Sequence, residues 1–442
     1  MSTVQDDDLI HQTAEDFQNR LRTHHEPGFG IFPSADPDSN YFNQVWARDA
    51  AHASANYFVH EFPDAAIDSL ATLFWHQRPD GSLPSRVERE YQAVKLTPGL
   101  RRWSKPIFYV ARRRRAVSTD NDNKESDIAR NFERPVHEGV DFAGGEDTIP
   151  VTLIAAGELF HNSARGKVFI TQHFDKLKKA VDFFAKKKVD SADGLAVMTL
   201  ENPDWADTIR RKGKLGGVNV WWARGLRAMA DIATAIGDEA AAREFENQFE
   251  KTRRSVMEKI YSENGEGAHG APREAFFRAE ASDDRLDTVA SIFGALYFLT
   301  PDEAFIVEQT LKQRVGHGSG LQNFDPQYPR KDIFWMHRLM GQWVYHNQFV
   351  WPWVTLQNIQ VKIKVALGHS DLAVREQYKE EAIGDLAKMA RIFKEAGGAY
   401  EVLQADESRR GETRFYRPPQ HFMGTMVSYL GAYGALKRLR WI

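Results

Sequence analysis

The sequence contains no cysteine, which removes disulfide frameworks, thiolate zinc sites and a cysteine nucleophile from consideration. It has no run of the roughly 18 apolar residues that would suggest a membrane span, and no membrane partner is expected. The first residues, Met1 to Asp8, are acidic, with neither a basic start nor an apolar stretch, so no secretory signal is expected and a cytoplasmic location is the default. Charge of one sign is also scarce. Lys plus Arg number 58 against 61 Asp plus Glu, a formal net charge of -3, which supplies no field to gather nucleic acid or anionic lipid. A neutral or weakly charged ligand fits better. Gly and Pro, 31 and 18 of 442 residues, exclude collagen-like and low-complexity chains, while 42% hydrophobic and 27% charged residues describe an ordinary globular protein.

What the chain has in quantity is aromatic residues: 11 Trp, 13 Tyr and 28 Phe, many crowded beside polar and charged groups rather than set at core spacing. Sugar-binding clefts have that texture. Helical periodicity dominates the rest. Ile67, Leu70, Ala71 and Phe74 recur at i, i+3, i+4 and i+7, as do Phe174, Leu177, Val181 and Phe184, then Trp222, Leu226, Met229 and Ala233. Thr300-Pro301-Asp302-Glu303 reads as a capping box with Pro at the first helical position. About twelve helices are predicted, near 7–24, 49–61, 64–77, 148–161, 167–187, 217–236, 239–262, 287–299, 302–314, 345–367, 371–395 and 421–439, with few strand signals. Links inside the pairs are short, which makes antiparallel neighbours, and links between pairs are long. The expected fold is all-α, an (α/α)6 toroid of six hairpins in one catalytic domain spanning 1–442. Residues 79–147 break the scheme and read as an inserted lid or rim segment, carrying the basic run Arg112 to Arg115, which is read as a solvated surface stretch.

Polar and aromatic clusters precede each even-numbered helix: Trp46-Ala47-Arg48-Asp49, Glu146-Asp147, Asp204-Trp205-Ala206-Asp207, Asp283-Asp284, Tyr345-His346-Asn347 through Trp351, and Tyr400-Glu401. One or two such acids are ordinary helix caps. Six clusters in phase point instead to an inner ring whose N-terminal ends share one funnel. Two carboxylates flanking a sugar are the minimal apparatus for glycosidic cleavage. Asp207, beside Trp205, is the candidate acid, because the indole could desolvate it and keep it protonated, and Glu401 is the candidate base. Asp204 competes with Asp207, and Glu201 is a third.

These residues carry a resemblance. Trp205-Ala206-Asp207 followed by Gly217-Val218-Asn219 and Trp222 resembles the acid-bearing segment of toroidal glycosidases, namely alkaline/neutral invertases and the glucosidase domain of glycogen-debranching enzymes. Tyr345-His346-Asn347 with Trp351-Pro352, Trp46 to Asp49, and Glu401 with the helix Tyr429 to Ala435 are similar to further segments of those families, in the same order. Asn219 stands where several of them carry a glutamate, and Gln348-Phe349 replaces a pair of small residues. The resemblance implies an inverting α-glucosidase of debranching type, with Arg48, Asp49, His346 and Trp351 holding the sugar. Trp46, Glu146, Asp147, Trp205, Asn219 and His421 complete the candidate binding set. The alternatives are sucrose hydrolysis, an epimerase or isomerase using His346 and His421 as proton shuttles, and a carbohydrate-binding protein without turnover. His52, His60 and His76 read as packed or surface histidines, Gly28-Phe29-Gly30 is not a phosphate loop, and Asp120 to Asp122 lacks the glycine and glutamate of a calcium loop. No metal or other cofactor is expected.

Overall fold

Helices form where the apolar stripes run. In the computed structural model, residues 4–442 are described, apart from 37, 38, 40, 89–138, 143, 144, 202, 265–272, 340, 407, 414 and 415. The run Arg112 to Arg115 and the Asp120 to Asp122 stretch lie outside the described residues. Helix α1 spans Val4–Leu21; α2 starts at Ala47–Ala53, passes through a π-turn at Ser54–Phe58 and ends at Val59–Glu61; α3 is Pro63–Trp75. Then come α4 (Thr148–Asn162), α5 (Ala164–Gln172), α6 (Phe174–Lys188), α7 (Gly216–Ile236) and α8 (Glu239–Lys259). The chain continues with α9 (Thr288–Phe298), α10 (Pro301–Arg314), the short α11 (Trp335–Leu339), α12 (Pro352–Gly368), α13 (Leu372–Ala396) and α14 (Met423–Arg438).

Six of these helices close a ring. Helix α2 packs on α4, α4 on α7, α7 on α9, α9 on α12, α12 on α14, and α14 returns to α2. Outside it, α8 packs on α7, α10 and α13 on α12, and α1 on α14. This is the (α/α)6 toroid. The stripe residues Trp222, Leu226, Met229 and Ala233 are all buried, each large side chain contributing about 1.5–3 kcal/mol relative to exposure. Gly157 of α4 lets α7 approach closely, since a methyl there would stand 2.6 Å from the Ala228 Cβ. The capping box at Thr300 and Glu303 is formed, and Gly237 and Gly397 end α7 and α13 in the left-handed conformation.

Three local expectations are corrected. The helix foreseen over 345–367 begins only at Pro352, because the residue before a proline is pushed to extended backbone and Trp351 sits at φ -99, ψ 106. The helix foreseen over 167–187 is two helices, broken at His173 (φ -108, ψ 12). Strands are more numerous than the sequence suggests. β1 (Gln44–Trp46), β2 (Arg86–Glu88) and β3 (Gly139–Asp141) form one antiparallel sheet, so the chain on either side of residues 89–138 is tied beside α2. β4 (Tyr261–Asn264), β5 (Glu274–Glu280), β6 (Asp283–Asp287) and β7 (Phe324–Asp325) form another, packed under α9. Among the described residues no helix is long and apolar enough to cross a membrane.

Candidate active site

A cavity of about 440 Å³ opens among the N-terminal ends of the ring helices, lined by Trp46, Arg48, Asp49, Trp205, Asp207 and Glu401 among others. Sheet pairing delivers the first of these. β1 ends at Trp46, whose indole N–H donates to Gln44 Oε1 at 2.8 Å while the Arg86 guanidinium lies over its ring at 4.8 Å. Arg48 and Asp49 follow in the first turn of α2. Arg48 Nη1 donates to Asp147 Oδ2 at 2.9 Å, and Asp147 is fully buried, so the pair aims the guanidinium from below the cavity wall. Burial raises Asp49 and Asp147 to about 6 against the opposing pull of Arg48.

Asp204 and Asp207, both candidates for the acid, are separated by their surroundings. Asp204 accepts an ion pair from Arg211, which also holds Asp287 at 3.2 Å; Asp287 in turn caps α9 by accepting the Ala290 N–H at 2.9 Å. That carboxylate is inside the wall. Asp207 lines the cavity with 45% of its side-chain surface accessible, and burial in the funnel pushes its pKa up, with Arg48 and His337 opposing. His346 Nδ1 lies 2.8 Å from Thr208 Oγ1 and 4.0 Å from Asp207 Oδ1. Its ring stacks on Trp351 at 4.7 Å and 9°, and burial pushes its pKa well down, which makes it a neutral imidazole.

Across the cavity, Glu401 is held by tyrosines. Tyr41 donates to Oε1 at 3.1 Å and Tyr416 to Oε2, and the Tyr345 hydroxyl is 3.2 Å from that of Tyr416. Burial raises Glu401 to about 7, the hydrogen bonds from Tyr416, Tyr345 and Tyr41 holding it lower than burial alone would. Neither Tyr41 nor Tyr416 was a candidate from the sequence. Both come from irregular loops, where no helical phase marks them, and the only hint was the general surplus of aromatics.

Four candidate binders do not line the cavity. Asn219 is buried in α7 and spends its amide on Ala196 N (2.6 Å), Ala196 O (3.1 Å) and Leu215 O (2.8 Å), pinning a loop to the helix start. Glu146 accepts from Lys188, from Thr199 N at 2.8 Å and from Leu200 N at 3.2 Å, so its oxygens are taken up by the 199–200 loop. His421 sits beside Arg20 and Asp16 of α1, outside the ring, because α14 begins only at Met423. Asp147 also does not line the cavity, and reaches it only through Arg48. Among the described residues no group of His, Asp or Glu is arranged to hold a metal.

No protein-family model and no curated protein sequence matches the chain. Solved structures do resemble it. A bacterial glucoamylase complexed with acarbose superposes with a TM-score of 0.61 at 13% identity, covering 96% of this chain and 55% of that one, so the chain spans about half the glucoamylase. A GH63 mannosylglycerate hydrolase from Thermus thermophilus in complex with glucose gives 0.58 at 14% identity, covering 95% and 99%. A glycosidase variant in complex with glucose gives 0.60 at 13% identity, covering 99% of each chain. The chain thus shares the six-hairpin toroid of these glycosidases over nearly its whole length.

Proposed function

We propose that this protein is a glycoside hydrolase that removes a glucosyl unit from an α-glucosidic oligosaccharide or small glucoside with inversion. The observation that carries the reading is the pair of carboxyl groups, Asp207 and Glu401, both with raised pKa and lining one aromatic-walled cavity. The fold shared with the glucoamylase and the GH63 hydrolase supports it.

In this reading Asp207 stays protonated and gives its proton to the leaving oxygen as the anomeric C–O bond breaks. Glu401, ionised above its pKa of about 7, takes a proton from water as the water oxygen bonds to the anomeric carbon from the opposite face. Tyr41 and Tyr416 donate to that carboxylate, which fixes its direction and favours its ionised form. Arg48 and Asp49 offer paired donors and acceptors to vicinal hydroxyls, and Trp46 and Trp351 offer stacking faces. A neutral His346 can accept or donate a single hydrogen bond to the sugar beside the acid.

The epimerase alternative loses support, because His421 lies outside the cavity and cannot face His346 across it. Sucrose hydrolysis remains within the same chemistry. The test is incubation with a panel of α-glucosides and sucrose, with the released sugar and its first anomer followed by NMR. Release of β-glucose from an α-glucoside is the expected result. Sugar binding with no release across the panel would leave a binding protein instead.

A further inference from the structure

The cavity does not end beneath the two carboxyl groups. It is also lined by Gly424 and Arg438, the two ends of α14, which are separated by 14 helical residues or roughly 21 Å. The same continuity appears along α2, where Arg48, His52, Asn56 and His60 all line it. His60 and Arg438 are solvent-exposed, and Glu158, near the C-terminal end of α4, joins them in the lining. All three stand near the C-terminal ends of their ring helices, on the side opposite the funnel mouth, and His60 feels the charges of both Arg438 and Glu158.

The middle of this passage is bordered by small residues and by polar ones. Ala51 and Ala55 of α2 and Gly431 of α14 present little side chain to the axis. Between them His52 Nε2 lies 3.1 Å from Ser428 Oγ, Gln357 donates to Asn56 Oδ1 at 2.7 Å, and Asn56 donates to the His52 carbonyl at 2.7 Å. A purely apolar shaft would stay dry, whereas hydrogen-bonding groups along the wall give a water its partners.

We propose that the cavity is a through-channel, and that its far mouth, bounded by His60, Glu158 and Arg438, admits water to the Glu401 side while a sugar closes the near mouth. The role assigned to the water rests on the hydrolase reading. A glycone seated between Asp207 and Glu401 closes the funnel from above, yet the reaction consumes one water for each bond broken: its oxygen joins the anomeric carbon, one proton goes to Glu401, and the leaving oxygen takes the proton of Asp207. A second entrance supplies that water without release of the sugar.

The absence of cysteine allows a direct test. A single thiol introduced by Ala55→Cys is exposed to methyl methanethiosulfonate, and labelling is followed by mass spectrometry with and without saturating glucose, and with and without a channel plug, Gln360→Trp, at a cavity-lining position in the middle of α12. Labelling of the folded protein that glucose slows less than about twofold and the plug slows about tenfold or more supports the channel, because thiol reactivity follows access. A thiol that reacts only after unfolding, or whose labelling glucose blocks or the plug leaves unchanged, overturns it. In the turnover arm, Gln360→Trp alone should lower kcat on an α-glucoside about fivefold or more, with KM and glucose affinity unchanged; an unchanged kcat in a plugged channel overturns the water route. A protein that hydrolyses no glucoside overturns the hydrolase reading alone, and the labelling rates still decide the channel.

Discussion

Asp204 and Asp207 stand three residues apart on one loop and have opposite surroundings. The Asp204 carboxylate is 1% exposed and paired with Arg211, while Asp207 opens 45% of its side chain into the cavity. The cause is Arg211, whose guanidinium is itself 1% exposed and bridges Asp204 to the cap of α9, Asp287. An acid committed to that bridge has no access to substrate.

Asp204→Asn should therefore cost stability rather than chemistry. Leaving Arg211 half-paired in the wall should remove about 3 kcal/mol, read as a lowered denaturation midpoint, with the folded fraction retaining kcat within a few-fold. Loss of turnover in a fully folded Asp204→Asn protein would move the acid from Asp207 to Asp204.

Asp207→Asn and Glu401→Gln should each reduce kcat by on the order of 100-fold or more while ligand binding persists. A glycosyl fluoride, which needs no protonation to leave, should partly rescue Asp207→Asn and not Glu401→Gln. In a sugar complex the two carboxyl groups should lie roughly 6.5–9.5 Å apart, the room an attacking water needs, against about 5–5.5 Å for a covalent route.

The tyrosine contacts to Glu401 should set the acidic limb of the pH profile. Tyr416→Phe removes a hydrogen bond that favours the carboxylate, so the limb, expected near pH 7 in the parent, should move up by as much as about one unit. A limb that stays in place would show that another group controls it. The same raised pKa has a stability consequence. Between about 4.5 and about 7 the folded state holds a proton that the unfolded chain has released, so folding is penalised progressively as pH rises through that window. Glu401→Gln should then raise the melting temperature at pH 8, by a stabilisation on the order of 2 kcal/mol, and leave it nearly unchanged at pH 4.

Asn219→Ala should be a stability variant. It strands the Ala196 N–H and carbonyl in the interior, at a cost of about 2–4 kcal/mol, and should leave KM unchanged. A raised KM in the folded protein would return Asn219 to the binding set.

Asp49→Ala should lower kcat/KM by about tenfold or more with little loss of stability, because the carboxylate is already penalised by burial and helps the fold little. A collapsed melting temperature with full activity in the folded fraction would make the residue structural.

Legibility from sequence followed the range of the forces involved. The helices around Leu70, Leu226 and Ile292 were readable because an amphipathic stripe and its caps are written within a few turns of chain. The break at His173 and the π-turn at Ser54–Phe58 were not, since neither leaves a proline or a glycine to mark it. Trp46, Arg48, Asp49, Asp207, Trp351 and Glu401 could be picked out because helix starts in phase on a ring bring their flanking loops to one end, and the cavity does draw on all of them.

By itself the sequence determined the helical hairpins, their ring and the end at which polar and aromatic loops gather, because short links and apolar periodicity act locally. Only the tertiary structure decided which of those residues face the funnel. Asp204 and Asp207 are chemically identical, and the choice between them rests on where Arg211 lies; Glu146 and Asn219 are turned inward by backbone groups tens of residues away. Tyr41 reaches Glu401 across 360 positions of sequence. Side-chain direction and burial are set by such long-range packing, and no local pattern encodes them.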